Sequence, residues 1–211
     1  MKLNRKEKIM IRVILGFLLI VFFLAGCASD TASIKYYKLG VVKNNSAEEH
    51  STPILEEKNP SKRPLILIEP IVLPDFLRQQ GLVIQKTDHQ LQVSNVHRWA
   101  ENLESASSRV IQSHLENLLP EYRFENKSGR WKATPKFRLS IELTEFQVKN
   151  RENTVISSGR FWIFDEDGSL LTKESFLLEE PLSRNGYEHA IFQLGVTLER
   201  LAGLIGDGLS F

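Results

Sequence analysis

The chain contains a single cysteine, Cys27, in 211 residues. One thiol cannot close a disulfide within the chain, and a cysteine-based metal cluster is excluded as well. Histidine offers no substitute. His50, His89, His97, His114 and His189 are scattered, and no two stand at the i, i+4 spacing that aims a pair of imidazoles from one helix face at a metal. The sequence also lacks a Gly-x-Ser-x-Gly elbow, a phosphate-cradling glycine loop and a dinucleotide fingerprint. Ser105, Ser107 and Ser108 are expected on the exposed side of a helix or at its margin, with no recognisable base beside them. No catalytic residue, metal or cofactor is predicted, and hydrolase chemistry has no support.

A dominant charge is lacking too. Of the 27 basic and 26 acidic side chains, residues 1–26 hold Lys2, Arg5, Lys6, Lys8 and Arg12 against one acid, Glu7. The rest keeps 22 basic and 25 acidic groups, a net of about −3. A domain so balanced has no electrostatic footprint for nucleic acid and no strong attraction to anionic headgroups. Nor is any apolar run long enough for a transmembrane helix, which needs roughly 20 residues. Val13 to Leu24 has only 12.

That run, behind its basic start, has the layout of a secretory signal. It ends Leu24-Ala25-Gly26-Cys27-Ala28, similar to the bacterial lipobox, in which the Cys thiol is acylated and the chain is cut just before it. Residues 1–26 are therefore expected to be a lipoprotein signal peptide, Cys27 the acylated, palmitate-bearing first residue, and residues 27–33 a tether. The competing reading is an uncleaved signal anchor with Cys27 a bystander, which leaves the position of the lone cysteine unexplained. In lipoproteins that this signal resembles, Asp after the acylated Cys causes inner-membrane retention. Ala28 thus implies an outer-membrane, periplasm-facing location. Stable anchoring needs more than one acyl chain, because one binds reversibly.

Residues 34–211 read as a single domain. Ile34 to Leu39, with Tyr36-Tyr37, leans towards β-structure. The residues between Cys27 and Ile34 reach at most about 20 Å fully extended, which keeps the domain near the membrane. Residues 43–63, rich in Glu, Lys, Asn and Ser, form an expected mobile insertion. Leu65 to Leu73 is nearly continuous aliphatic sequence, as in a strand covered on both faces, with a break at Pro70. Leu82–Ile84 and Leu91–Val93 flank the polar turn Thr87-Asp88-His89 as a hairpin.

Leu103, Ala106, Val110, Leu115 and Leu118 recur at helical spacing until Pro120 stops the pattern. Phe137, Leu139, Ile141 and Leu143 alternate with polar residues, as in a strand with one wet face. A second hairpin joins Val155–Phe164 to Leu170–Leu178 through Asp165-Glu166-Asp167-Gly168. That turn resembles the start of a calcium loop but lacks the required Glu further on. Tyr187, Ile191, Leu194, Leu198, Leu201 and Ile205 form an apolar stripe along a last helix. A coiled-coil seam has the same steps, but Ala190, Val196 and Leu204 broaden the stripe and favour packing on a sheet. The expected class is α+β, a mixed sheet of about five to six strands with two amphipathic helices packed on it.

Four features in order resemble the PqiC family of ABC-type transport auxiliary lipoproteins. They are Tyr36-Tyr37-Lys38-Leu39 soon after the Cys, the strand ending Pro70-Ile71-Val72-Leu73-Pro74-Asp75-Phe76-Leu77, the run His97-Arg98-Trp99-Ala100-Glu101-Asn102-Leu103, and the amphipathic helix to Leu119-Pro120. The likeness covers residues 27 to about 205, and the insertion at 43–63 departs from compact members. The resemblance implies a non-catalytic, outer-membrane-anchored accessory of an MCE-type lipid transport system. It would dock the periplasmic lipid conduit, as a homo-oligomeric ring. A periplasmic lipid-binding carrier and an envelope-maintenance enzyme are the alternatives. Tyr36, Tyr37, Leu73, Pro74, Phe76, Leu77 and Trp99 are the candidate partner or subunit interface, although for Trp99 and the Leu73–Leu77 segment a structural role as core plugs is the favoured reading.

Overall fold

The computed structural model describes residues 33–41, 63–127 and 134–209. Cys27, the signal segment and all but the last residue of the 43–63 insertion lie outside the described residues. The chain divides into Met1–Ser33 and a compact unit, Ile34–Phe211, which holds the fold. Its strands are β1 (Lys35–Tyr37), β2 (Leu65–Ile68), β3 (Gly81–Thr87), β4 (Gln90–Trp99), β5 (Arg123–Asn126), β6 (Phe137–Lys149), β7 (Thr154–Asp165) and β8 (Leu170–Pro181). The helices are α1 (Leu103–Leu118) and α2 (Tyr187–Leu209).

The alternation in β6 organises the sheet. Phe137, Leu139, Ile141 and Leu143 are buried while the residues between them are half-exposed. β7 runs antiparallel beside the whole of β6, and β8 continues antiparallel at the edge. On its other side β6 is shared. β2 lies parallel to its start, with Ile66 opposite Phe137, and β3 lies parallel to its end, with Ile84 opposite Val148. The sheet therefore forks at β6, one branch continuing to β5 and the other through β3 and β4 to β1.

β2 is buried along all four residues, as its unalternating sequence requires. Pro70 cannot donate to the ladder, and pairing lapses there. It resumes at Val72, which donates to the Ile141 carbonyl at 2.9 Å and accepts from the Leu143 N–H at 3.0 Å. Between Leu143 and Glu145 the β6–β7 register shifts by a bulge. Gly159 sits opposite, and a Cβ there would overlap the Glu142 carbonyl oxygen. Only glycine lets the two backbones approach this closely. The β7–β8 turn uses Gly168 at φ +87°, and Asp165 accepts from the Ser169 N–H at 2.7 Å.

Asn102 caps α1 by accepting the Glu104 N–H at 2.8 Å. α2 follows Gly186 at φ +118° and packs on α1, β7 and β8, while α1 also covers β5. The core between helices and sheet includes Ile111, Leu115, Leu139, Ile141, Phe161, Leu198 and Leu201, all fully buried.

Among the described residues the sheet has eight strands against the expected five to six, and the one with no sequence reading is the short edge β5. β5, Arg-Phe-Glu-Asn, carries too little pattern to announce itself. Two expectations for α1 are corrected. Leu118, at the helix's last residue, is 53 % exposed rather than part of the buried stripe. Ser107 and Ser108 are buried instead of solvent-facing, because the face that meets α2 and β5 is wider than the apolar stripe alone.

Candidate functional site

Two of the segments singled out in the sequence, Tyr36–Leu39 and His97–Leu103, meet where β1, the end of β4 and the start of α2 come together, while Pro70–Leu77 runs beside β6. β1 lies parallel to β4, which sets Lys35 against His97 and Tyr37 against Trp99. The Tyr37 hydroxyl and His97 Nδ1 are hydrogen-bonded at 2.8 Å. The His97 ring stacks on Tyr187 of α2 at 3.6 Å and 13°. Burial raises the Tyr37 pKa, aided by Glu188 and Tyr187. Burial also lowers that of His97, and nearby Lys35 adds to this. Both shifts favour the uncharged forms, as suits an aromatic cluster sharing one hydrogen bond.

The run from His97 to Leu103 explains itself residue by residue. His97 binds Tyr37. Trp99 is buried and tilts against Phe146 at 6.4 Å. The Ala100 N–H donates to the Tyr37 carbonyl at 2.7 Å. Glu101 pairs with Arg109 at 2.5 Å, and Arg109 also donates to the Leu39 carbonyl at 3.2 Å. Asn102 caps α1, and Leu103 enters the core. The motif is thus a junction that fastens β1 to both β4 and α1.

The candidate interface separates by burial into three groups. Leu73, Leu77 and Trp99 are buried in the chain's own core, so the structure puts them in a packing role and not on an open surface. Pro74 and Phe76 are half-buried around a 3-10 turn, Asp75–Leu77, in which the Leu77 N–H donates to the Pro74 carbonyl at 3.0 Å. Tyr37 is half-buried and belongs to the cluster above, whereas Tyr36 is 62 % exposed. Tyr36 lines an open cleft of about 330 Å³ between β1 and the first turns of α2, together with Lys38, Glu188, Ile191 and Phe192. Phe192 is 52 % exposed. Sequence reasoning missed Phe192 and read Tyr187 only as part of the last helix's stripe: folding alone brings them to β1, across about 150 residues of chain. A second cleft, about 270 Å³, lies between the end of β2 and the start of α1, beside Pro70, Ser105 and Lys127.

Chemically reactive arrangements are sparse. Among the described residues no group of three His, Cys, Asp or Glu could hold a metal. Ser183 Oγ stands 3.1 Å from His189 Nε2, but His189 Nδ1 has no hydrogen-bond partner among the described residues. The pair lacks the third group that orients a catalytic base. No helix among the described residues is long and apolar enough to cross a membrane.

The sequence pattern of the ABC-type transport auxiliary lipoprotein component family matches residues 50–206. The chain belongs to that family. It is 27 % identical over 170 residues to the intermembrane transport lipoprotein PqiC of Escherichia coli, covering 80 % of this chain and 82 % of PqiC, and matches the Shigella flexneri PqiC equally. Among solved structures, an uncharacterized protein superimposes with a TM-score of 0.68 at 21 % identity, over 84 % of this chain and 99 % of that one. A Xanthomonas campestris protein does so with a TM-score of 0.61 at 13 % identity, over 83 % and 95 %. These likenesses show the fold. The family match takes in the His97–Leu103 run, α1 and α2 up to residue 206, and starts after β1, so the Tyr36-Tyr37 segment lies outside it.

Proposed function

We propose that this auxiliary lipoprotein is a non-catalytic accessory of an MCE-type intermembrane lipid transport system. It is held at the outer membrane by acylated Cys27 and docks the periplasmic end of a lipid conduit, as a homo-oligomeric ring. The observation that carries the reading is the likeness to PqiC, itself named as an intermembrane transport lipoprotein, over four-fifths of both chains. The lipobox-like Leu24–Cys27 and the short stretch from Cys27 to Ile34 support anchoring close to a bilayer. An anchor raises the effective concentration of a weakly held partner, and only a fixed domain can hold that partner against the membrane.

The test is complementation. A Cys27→Ser chain, exported by a signal that leaves it free in the periplasm, should fold normally yet fail to restore the envelope phenotype of a deletion strain. Full complementation at matched protein level would overturn the docking role, because an enzyme or carrier acting on diffusible molecules tolerates release from the membrane.

A further inference from the structure

Three of the exposed large apolar side chains lie on or beside β1, while the others, Leu118 and Leu177 among them, lie on other elements. Ile34 is 45 % exposed, Tyr36 62 % and Phe192 52 %, and the last two line the same open cleft beside β1. Lys35 and Lys38, both exposed, flank Tyr36. Exposed apolar groups scattered singly need no explanation, but Tyr36 and Phe192 share one cleft and Ile34 stands two residues before Tyr36, so the three count as a patch. Tyr and Phe bordered by lysines suit the headgroup region of a bilayer, where rings sit among the headgroups and ammonium groups reach the phosphates. The position of the patch selects that occupant over others. Only the residues from Ala28 to Ser33 separate it in sequence from Cys27, so an acylated Cys27 holds this end of the domain within about 20 Å of lipid.

We infer that the β1 end of the domain, through Tyr36, Phe192 and Ile34 with Lys35 and Lys38, rests on the phospholipid surface as a second, shallow membrane contact. The inference rests on the anchoring proposed above and adds what the acyl chains alone cannot supply, a fixed orientation. One chain end in a bilayer leaves a domain free to tumble, whereas two contacts orient the rest of the sheet.

Acylation consumes the only native thiol, so an introduced cysteine can be labelled alone. Tyr36→Cys, Phe192→Cys and, as controls on other exposed apolar positions, Leu118→Cys and Leu177→Cys place the label where no core packing is lost. Each acylated chain is labelled with a polarity-sensitive fluorophore and reconstituted into phosphatidylethanolamine–phosphatidylglycerol vesicles whose acyl chains carry nitroxide. Labels at 36 and 192 should shift to the blue and be quenched severalfold more than labels at 118 and 177. Equal quenching at all four positions would overturn the contact. So would a label at 36 that is as blue-shifted in the Cys27→Ser chain, free of lipid and detergent, as in vesicles, which assigns the patch to a protein surface or a second copy. Failure of the anchor is read separately: unlabelled wild-type chain that accepts the fluorophore at Cys27 and shows no acyl mass removes the premise and the inference together.

Discussion

Leu115 and Leu118 stand three residues apart on α1, and the helical spacing puts both on one stripe, but the structure separates them. Leu115 is fully buried and Leu118 is 53 % exposed. Leu→Ala removes three carbon groups, each worth about 0.8 kcal/mol of transfer free energy when buried. At Leu115 this is roughly 2.4 kcal/mol, and the cavity left between α1, α2 and the sheet adds to it, for about 3–4 kcal/mol in all. At Leu118 about half the transfer term is already absent, no closed cavity forms, and alanine's better helix propensity returns a few tenths, leaving under about 1 kcal/mol. The assay is urea unfolding of the Cys27→Ser chain, followed by tryptophan fluorescence. With a slope of about 2 kcal/mol per molar urea, Leu115→Ala should lower the midpoint by about 1.5–2 M and Leu118→Ala by less than about 0.5 M. Equal midpoints would refute the packing of α1 described here.

Three further outcomes are expected. Gly159→Ala should destabilise by about 1–3 kcal/mol, since its Cβ meets the Glu142 carbonyl across the β6–β7 bulge; Gly203→Ala in α2, with open space around it, should stabilise by up to about 1 kcal/mol, and equal effects on urea midpoints would count against the bulge. Burial lowers the His114 pKa from its ordinary 6.5, with Glu199 acting weakly the other way, so the folded state binds the proton less tightly than the unfolded chain and stability falls as pH drops below that value. His114→Gln should flatten the loss between about pH 7 and about pH 5, only in part because His97 shifts the same way, and an unchanged acid limb would reject that role. Ala28→Asp should move the lipoprotein from outer-membrane to inner-membrane fractions, and an unaltered distribution would count against sorting by that route.

Much of the fold was legible because burial in it is periodic. The alternation in β6, the first four residues of the aliphatic run in β2 and the stripe of α2 each state which face is covered, and each is covered as read, whereas Val72, after the break at Pro70, is 51 % exposed. The edges were less legible. β5 is short and exists because β2 has a free side, a fact no local pattern records. Ser107 and Ser108 misled because small polar residues are tolerated wherever two helices approach closely, so polarity alone did not mark the exposed face. At the candidate site, Trp99 and Leu73 were visible as hydrophobic residues in a distinctive setting, but sequence cannot tell a plug from a patch. The cleft depends on Phe192 reaching β1, a long-range encounter with no signature of its own.

β1 has a mechanical consequence. It is joined to the sheet on one side only, through three residues, yet any tension arriving from the N-terminus enters the domain there. Because β1 and β4 are parallel, a pull along the strand strains its few bonds together, while a pull across the strand unzips them singly. Behind β1 stands Leu39, fully buried, with its carbonyl held by Arg109. A tug should therefore release the leash from Ile34 to Lys38, about 17 Å of slack at full extension, and stop at Leu39 before the core bears load. On the anchoring proposed above, β1 is the first element to yield to a pull and Leu39 the point at which the core begins to resist it.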